Sequence, residues 1–278
     1  MPESRSMHRR DVLRWSLAAA GVGLAGRGAA ADAPGRQKPD PWPALRQAVF
    51  GTREIGSADG VIELEAPVRA EDAAVVPIAV RALIPQTPQR YIRRIQLVID
   101  HNPSPFGVAI DFTPLSGRAD FETRVRVEEY TTVRAIAELN DGRLVMDTRF
   151  VKASGGCSAP AGKDAAEAMA HLGRMRLSVN PPAAPGEAAV AQLMVSHPNI
   201  SGLAIDQLTR LAPHPRFVRR VAITFEGRPV LTADVDFTLS ENPNLRFRVQ
   251  PTGPGELKAV VVDTESATFD ISAPVTAS

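Results

Sequence analysis

From residue 61 onward the chain consists of short apolar runs broken by Pro, Gly and Asp, which is the pattern of an all-β protein. Several runs alternate apolar with polar residues, as in 123–127 and 133–137, and such alternation is typical of antiparallel strands with one exposed face. Asp141-Gly142 and Glu226-Gly227 are predicted hairpin turns. The predicted strands are 61–64, 75–82, 92–99, 107–112, 121–127, 132–138 and 143–150 in the first half, and 174–179, 188–195, 217–225, 229–236, 245–249, 256–262 and 268–271 in the second.

Two segments favour helices instead. In 42–50, Leu45, Val49 and Phe50 would cover one face of a short helix. The alanine-rich segment 163–172 is the second candidate.

About seven short strands with regular turns in each half predict two immunoglobulin-like β-sandwich domains, although an open barrel would fit the same pattern. Between the halves, residues 151–162 (VKASGGCSAPAG) have neither the period of a strand nor that of a helix, and their small Gly, Ala and Ser residues predict a flexible loop. Asn102-Pro103 and Asn242-Pro243 occupy corresponding places in the two halves. Related sandwiches would explain that correspondence, as would chance.

The first 31 residues have the composition of an export signal. Arg9-Arg10 precede a weakly apolar stretch, 15–25, and the small-residue site Ala29-Ala30-Ala31 follows. Paired arginines of this kind are typical of twin-arginine signals, so we expect export to the periplasm and cleavage after Ala31. The stretch is shorter than the roughly 20 residues that span a bilayer, so no membrane insertion is expected after cleavage.

The expected organisation is therefore a signal at 1–31, a linker with a short helix at 32–59, a first sandwich at 60–150, the cysteine-bearing loop at 151–162 and a second sandwich at 163–278. Signal removal takes away five Arg and two acidic residues from a chain of formal charge +1 and leaves −2. This balance does not favour nucleic acid as a partner.

Cys157 is the only cysteine. An exported chain with one cysteine forms no internal disulfide, so the thiol is inert, paired with another molecule, or free and reactive. Gly155 and Gly156 add backbone freedom and no bulk, which predicts a flexible arm with an accessible thiol. Lys152 and Lys163 flank the loop and would favour the thiolate. An inert loop thiol is the alternative.

The sequence contains only weak indications of a metal site, a catalytic nucleophile or a phosphate-binding loop. His197, His214 and Asp206 could be combined into a metal site, but their spacing matches no compact ligand motif, so we interpret the histidines as turn residues. No serine has a nucleophile-elbow pattern and the glycines form no phosphate loop. The sequence therefore predicts no catalytic residues, no metal and no tightly bound cofactor.

Motifs in both halves resemble the SoxY and SoxZ subunits of the bacterial sulfur-oxidising carrier. The first half is similar to SoxY in Leu64-Glu65-Ala66-Pro67, EDAAVVP at 71–77, Asn102-Pro103, Thr123-Arg124-Val125-Arg126 and Gly155-Gly156-Cys157. The second half is similar to SoxZ in Ser196-His197-Pro198, Ser201-Gly202, Pro213-His214, Ser240-Glu241-Asn242-Pro243 and Phe247.

The resemblance implies immunoglobulin-like sandwiches, a periplasmic location and a role in thiosulfate oxidation, with sulfur intermediates attached to Cys157 on a swinging arm. In SoxY the arm ends the chain, whereas here Ser158-Ala159-Pro160 follow and tether it at both ends. Fused chains of this form resemble carriers associated with quinoprotein dehydrogenases, which use pyrroloquinoline quinone.

Two hypotheses follow from the resemblance. In the first, the protein is a carrier without turnover of its own, which presents a covalent sulfur adduct on Cys157 to periplasmic redox enzymes. Those partners would be Sox-type enzymes, or a quinoprotein dehydrogenase and cytochrome c. In the second, the protein is an accessory binding module for a quinoprotein dehydrogenase, and Cys157 is incidental or redox-sensing.

Overall fold

In the computed structural model, the described residues are 39–159, 165–181, 186–205 and 210–276. The predicted signal, 1–31, lies outside them. No helix in these ranges is long and apolar enough to cross a membrane.

The described part contains fifteen strands and two α-helices. In the first half these are α1 Trp42–Phe50, β1 Ile55–Ser57, β2 Ile62–Glu65, β3 Val76–Ala82, β4 Ile92–Ile99, β5 Val108–Phe112, β6 Phe121–Val125, β7 Thr131–Leu139 and β8 Leu144–Val151. In the second half they are α2 Ala165–Ala170, β9 Met175–Asn180, β10 Ala189–Val195, β11 Val218–Phe225, β12 Arg228–Val235, β13 Asn244–Val249, β14 Gly255–Asp263 and β15 Thr268–Val275.

Both halves have the same arrangement of strands. The nine-stranded sheet has the order β1-β8-β7-β4-β5-β12-β11-β14-β15, and the six-stranded sheet has the order β2-β3-β6-β13-β10-β9. If β1 is set aside, each half supplies four strands to the first sheet and three to the second, in matching order. The prediction of two immunoglobulin-like sandwiches is confirmed.

The two sandwiches meet edge to edge. Strand β5 pairs antiparallel with β12, and β6 pairs antiparallel with β13, so both sheets continue from one half into the other. We call this double pairing the seam. One hydrophobic cluster includes buried residues of both halves, and residues from Asp40 onward form a single unit. The halves therefore share a core as well as their sheets.

Alternation along β7 explains how this core is built. Val133, Ala135 and Ala137 point into the sandwich and are fully buried, in keeping with the period of two in a strand. Ile136 points to the opposite face and is buried there because α1 covers it through Phe50.

Helix α1 has the predicted bounds, and a proline in its first turn suits that position because its missing N–H has no intrahelical partner there. The centroid of the Trp42 ring in this helix lies 4.3 Å from the guanidinium carbon of Arg134, which is a cation–π contact. The prediction that Val49 lies on the buried face is wrong, because Val49 is 44% exposed.

Strong coupling between the halves predicts that they unfold together. Ile110 of β5 is fully buried and pairs with Ala233 of β12, so Ile110→Ala should destabilise the whole unit by about 2–5 kcal/mol. In a chain that begins at residue 32, urea unfolding followed by Trp42 fluorescence and by far-UV circular dichroism should show one shared transition at lower urea. The exposed Ile205 supplies a control, because Ile205→Ala should change stability by less than about 0.5 kcal/mol. Two separated transitions would contradict the shared core.

Candidate functional site

Residues 152–159, here called the cysteine loop, are fastened to the first half by their backbone. The N–H of Lys152 donates to the carbonyl of Val68 at 2.9 Å. The N–H of Gly155 donates to the carbonyl of Glu128 at 2.8 Å, and that of Gly156 to the carbonyl of Val127 at 3.0 Å. In this conformation the loop is held rather than free, so its flexibility stays a prediction. Residues 160–162 of the predicted loop lie outside the described residues.

The side chain of Glu128 accepts three hydrogen bonds from the loop. Its Oε2 accepts from the backbone N–H of Cys157 at 2.8 Å and of Ser158 at 3.1 Å, and its Oε1 accepts from the hydroxyl of Ser158 at 2.7 Å. Glu128 is itself held, because its N–H donates to Oδ1 of Asn102 at 2.9 Å. The amide of Asn102 also donates to the carbonyl of Arg126 at 2.8 Å. The Asn-Pro motif of the first half thus supports the site.

The second half closes the site from the other side of the seam. The hydroxyl of Ser201 donates to the carbonyl of Cys157 at 2.8 Å. Arg126, buried in the first half, donates through Nη1 to the carbonyls of Asn199 and Phe237, each at 2.7 Å, and of Leu239 at 3.0 Å. Both halves are therefore needed to build the surroundings of the cysteine.

Cys157 is completely buried, with 0% of its surface exposed, and the prediction of an accessible thiol is wrong for this conformation. Burial raises the pKa of the thiol to about 12. The carboxylates of Glu128 and Asp236 add to this rise, and the guanidinium of Arg126 opposes it. Because the thiolate is the nucleophile, the thiol held here is unreactive near neutral pH.

Of the two lysines predicted to favour the thiolate, only Lys152 is described, and it does not act as predicted. Lys152 is exposed and does not contribute to the pKa shift of Cys157, while Lys163 lies outside the described residues. Among the described residues, the cation that acts on the thiol is Arg126, whose own pKa is lowered by burial. The burial of Arg126, which directly follows β6, was not predicted, because alternation along a strand does not indicate which residues a neighbouring domain covers.

The structure places His197 and His214 in different surroundings. His214 is exposed, Asp206 lies outside the described residues, and no cluster of three or more potential ligands occurs among those described. His197 is fully buried in the connection after β10, and its Nδ1 accepts from the N–H of Asn199 at 3.0 Å. It thereby positions Asn199, whose carbonyl binds Arg126.

His197 also faces the carboxylate of Asp263, with 3.6 Å between Nε2 and Oδ2. Burial lowers the pKa of His197, which keeps the imidazole neutral, although Asp263 opposes this shift. For Asp263, hydrogen bonds from Arg216 and from backbone N–H groups outweigh burial and lower its pKa. These buried contacts hold in position the part of the site that the second half contributes.

Gly155 and Gly156 have distinct structural roles. Gly155 has φ +82°, a conformation that favours glycine. Gly156 passes so close to the first half that an added Cβ would overlap the carbonyl oxygen of Ala73 and lie 2.7 Å from that of Val127. The absence of a side chain therefore lets the loop sit in its place.

Comparison with protein families identifies both halves. The family model "Sulfur oxidation protein SoxY" matches residues 46–157, and the model "Sulphur oxidation protein SoxZ" matches residues 175–274. The chain is a SoxY–SoxZ fusion. The SoxY match ends at Cys157, and the residues that face the thiol come from the SoxY domain and from the SoxZ domain, which supplies Asp236.

Solved structures give further similarities. The sulfur carrier protein SoxY from Chlorobium limicola f thiosulfatophilum is 25% identical over 40% of this chain and 90% of its own, with a TM-score of 0.34. The superoxide reductase (neelaredoxin) from Ignicoccus hospitalis is 20% identical over 34% of this chain and 80% of its own, with a TM-score of 0.30. The fibronectin(III)-like modules of Clostridium thermocellum CbhA are 11% identical over 78% and 94%, with a TM-score of 0.23. Among curated proteins no match was found.

The buried thiol of the SoxY domain should alkylate slowly in the folded fusion. At pH 8, iodoacetamide should modify Cys157 at least about a hundredfold more slowly than in urea-unfolded protein, because the thiolate fraction falls tenfold for each unit of raised pKa. Above pH 9 the rate in the folded protein should keep rising about tenfold per pH unit. Time courses by intact mass spectrometry from pH 7 to 11 measure both. A rate equal to that of unfolded protein, with a plateau near pH 9, would contradict the buried position.

The close approach of Gly156 gives a second prediction. Gly156→Ala should increase the alkylation rate of Cys157 by at least about tenfold, because overlap with backbone oxygen cannot be relieved by a side-chain movement and the loop must leave its place. Ser154→Ala is the control, since Ser154 is exposed in the same loop. An unchanged rate in Gly156→Ala would mean that the loop does not need this contact.

Proposed function

We propose that the protein is a periplasmic carrier that holds a sulfur-containing intermediate covalently on Cys157 and presents it to redox partner enzymes. The observation that carries this proposal is the pair of SoxY and SoxZ domains, with the single cysteine at the last matched residue of the SoxY domain. The signal-like composition of residues 1–31, with Arg9-Arg10, supports export by the twin-arginine route.

Loading of the carrier is a thiol exchange. The thiolate of Cys157 attacks a divalent sulfur that carries a leaving group, a new S–S bond forms, and the leaving group departs with the electron pair of the bond that breaks. The thiol proton is lost to solvent before the attack. Because the held thiol keeps its proton at neutral pH, this step belongs to a conformation in which the cysteine loop has left the seam.

Chemical change of the cargo is assigned to partners, so the protein is proposed to have no turnover of its own. Sox-type enzymes are the partners that the SoxY and SoxZ domains favour, since those domains belong to sulfur-oxidation proteins. A quinoprotein dehydrogenase with cytochrome c is the other partner class that a fused chain of this kind favours.

The burial of Cys157 favours a second candidate function. A thiol with no exposed surface also fits an accessory module that docks on a quinoprotein dehydrogenase, with the cysteine incidental. The two functions differ in whether activity requires the sulfur atom of residue 157.

A replacement of Cys157 separates the two functions. In cells whose only copy is Cys157→Ser, thiosulfate consumption and cytochrome c reduction should fall to the level of cells without the protein, while Ser154→Ala should behave as wild type. Unchanged sulfur oxidation in Cys157→Ser cells would exclude the carrier. If quinoprotein dehydrogenase activity required the protein but not Cys157, the result would favour the accessory module over the carrier.

A further inference from the structure

Three donors of the cysteine loop converge on one carboxylate. The backbone N–H groups of Cys157 and Ser158 and the hydroxyl of Ser158 all donate to Glu128, at 2.7–3.1 Å. Hydrogen bonds to an ionised acceptor are about twice as strong as neutral ones. The contact from the second half, Ser201 to the carbonyl of Cys157, is a single neutral bond. Glu128 is therefore the main polar anchor of the loop at the cysteine itself.

The position in which Glu128 holds the loop accommodates an unmodified thiol. The side chain of Cys157 has no exposed surface, so a group bonded to Sγ must displace packed atoms or move the loop. Gly156, one residue earlier, cannot shift toward the first half, because the carbonyls of Ala73 and Val127 already lie against its Cα.

The charges around the thiol act on a modified side chain as well. The two carboxylates that act on Cys157, those of Glu128 and Asp236, repel a negatively charged group, and Arg126 attracts one. Arg126 already donates to three carbonyls across the seam through Nη1, so its orientation is fixed by the fold. A neutral adduct therefore meets a lack of space, and an anionic adduct also meets the repulsion of the two carboxylates.

We propose that Glu128 is a latch that keeps the unloaded cysteine loop in the seam, and that a group attached to Sγ breaks this hold and releases the loop. This proposal deepens the carrier function and rests on it. The attached group itself sets the position of the loop: a free thiol is shielded from oxidants and other thiols, and a loaded one is presented to partners. Glu128 acts through the position of Cys157 and is a positioning residue.

The first test removes the latch. Glu128→Ala should increase the alkylation rate of Cys157 by iodoacetamide by at least about tenfold, because loss of one hydrogen bond to a charged acceptor already shifts an equilibrium by roughly that factor. Glu128→Gln keeps the size and one acceptor, and should give an intermediate rate. Glu54→Gln, the same charge change at an exposed position, should match wild type.

Hydrogen exchange separates a latch from a general loss of stability. In Glu128→Gln, the amides of Cys157 and Ser158 should exchange at least several times faster than in wild type, while those of the central strand β4 keep their rates. Faster exchange in β4 as well would mean that Glu128 stabilises the whole fold, and wild-type alkylation rates in both Glu128 variants would also overturn the latch.

The second test loads the thiol with synthetic groups. Methyl methanethiosulfonate leaves a neutral S-methyl group, and 2-sulfonatoethyl methanethiosulfonate leaves an anionic one. In each case the thiolate forms an S–S bond and methanesulfinate departs with the electrons of the broken S–S bond. Loading is done for hours at pH 9 and verified by mass.

Exchange at the amides of residues 155–158 should accelerate at least about tenfold with the neutral group and more with the anionic one, and Glu128→Gln should reduce the difference between the two groups. Amides that stay as protected as in the free thiol would overturn the proposal. Because the groups are synthetic, this outcome is independent of the Cys157→Ser result: a failed latch leaves the carrier intact, and a failed carrier leaves the measured exchange unchanged.

Discussion

Edge-to-edge pairing of the two sandwiches is the constraint on which the rest of the structure depends. Strands β5 and β6 of the SoxY domain would otherwise present unpaired N–H and C=O groups, and β12 and β13 of the SoxZ domain supply their partners. The same pairing brings Ser201 and Asp236 to Cys157, and it brings the carbonyls of Asn199, Phe237 and Leu239 to Arg126. One polypeptide carries both domains, so their association is intramolecular and does not depend on protein concentration.

The site joins two opposed requirements. In the proposed periplasmic carrier, the thiol must reach its partners, yet a free thiol in an oxidising compartment is exposed to unwanted disulfide formation. Burial at the seam meets the second requirement, because it raises the pKa of Cys157 and removes the side chain from solvent. A loop held by a few polar contacts at the rim of a large β core can open without unfolding that core, since local opening costs less than global unfolding.

The sequence was sufficient for the β architecture and insufficient for the surroundings of the cysteine. All fourteen predicted strands correspond to β2–β15, because alternation reports directly which face of a strand is buried. Strand β1, Ile55–Ser57, was missed because three residues with one apolar side chain have no period. Gly155-Gly156-Cys157 marked the site, but its burial depends on Glu128 and Ser201, 29 and 44 residues from Cys157, and local composition does not report contacts at that separation.

Intact mass spectrometry of the protein purified from the cells that naturally produce it, with peptide mapping before and after reductant, tests the proposed carrier function most directly. The account predicts a fraction of molecules with added sulfur-containing mass on the peptide of Cys157, lost on reduction, and a remainder with a free thiol. A uniformly free and slowly alkylated thiol, under conditions in which the cells oxidise sulfur compounds, would contradict it.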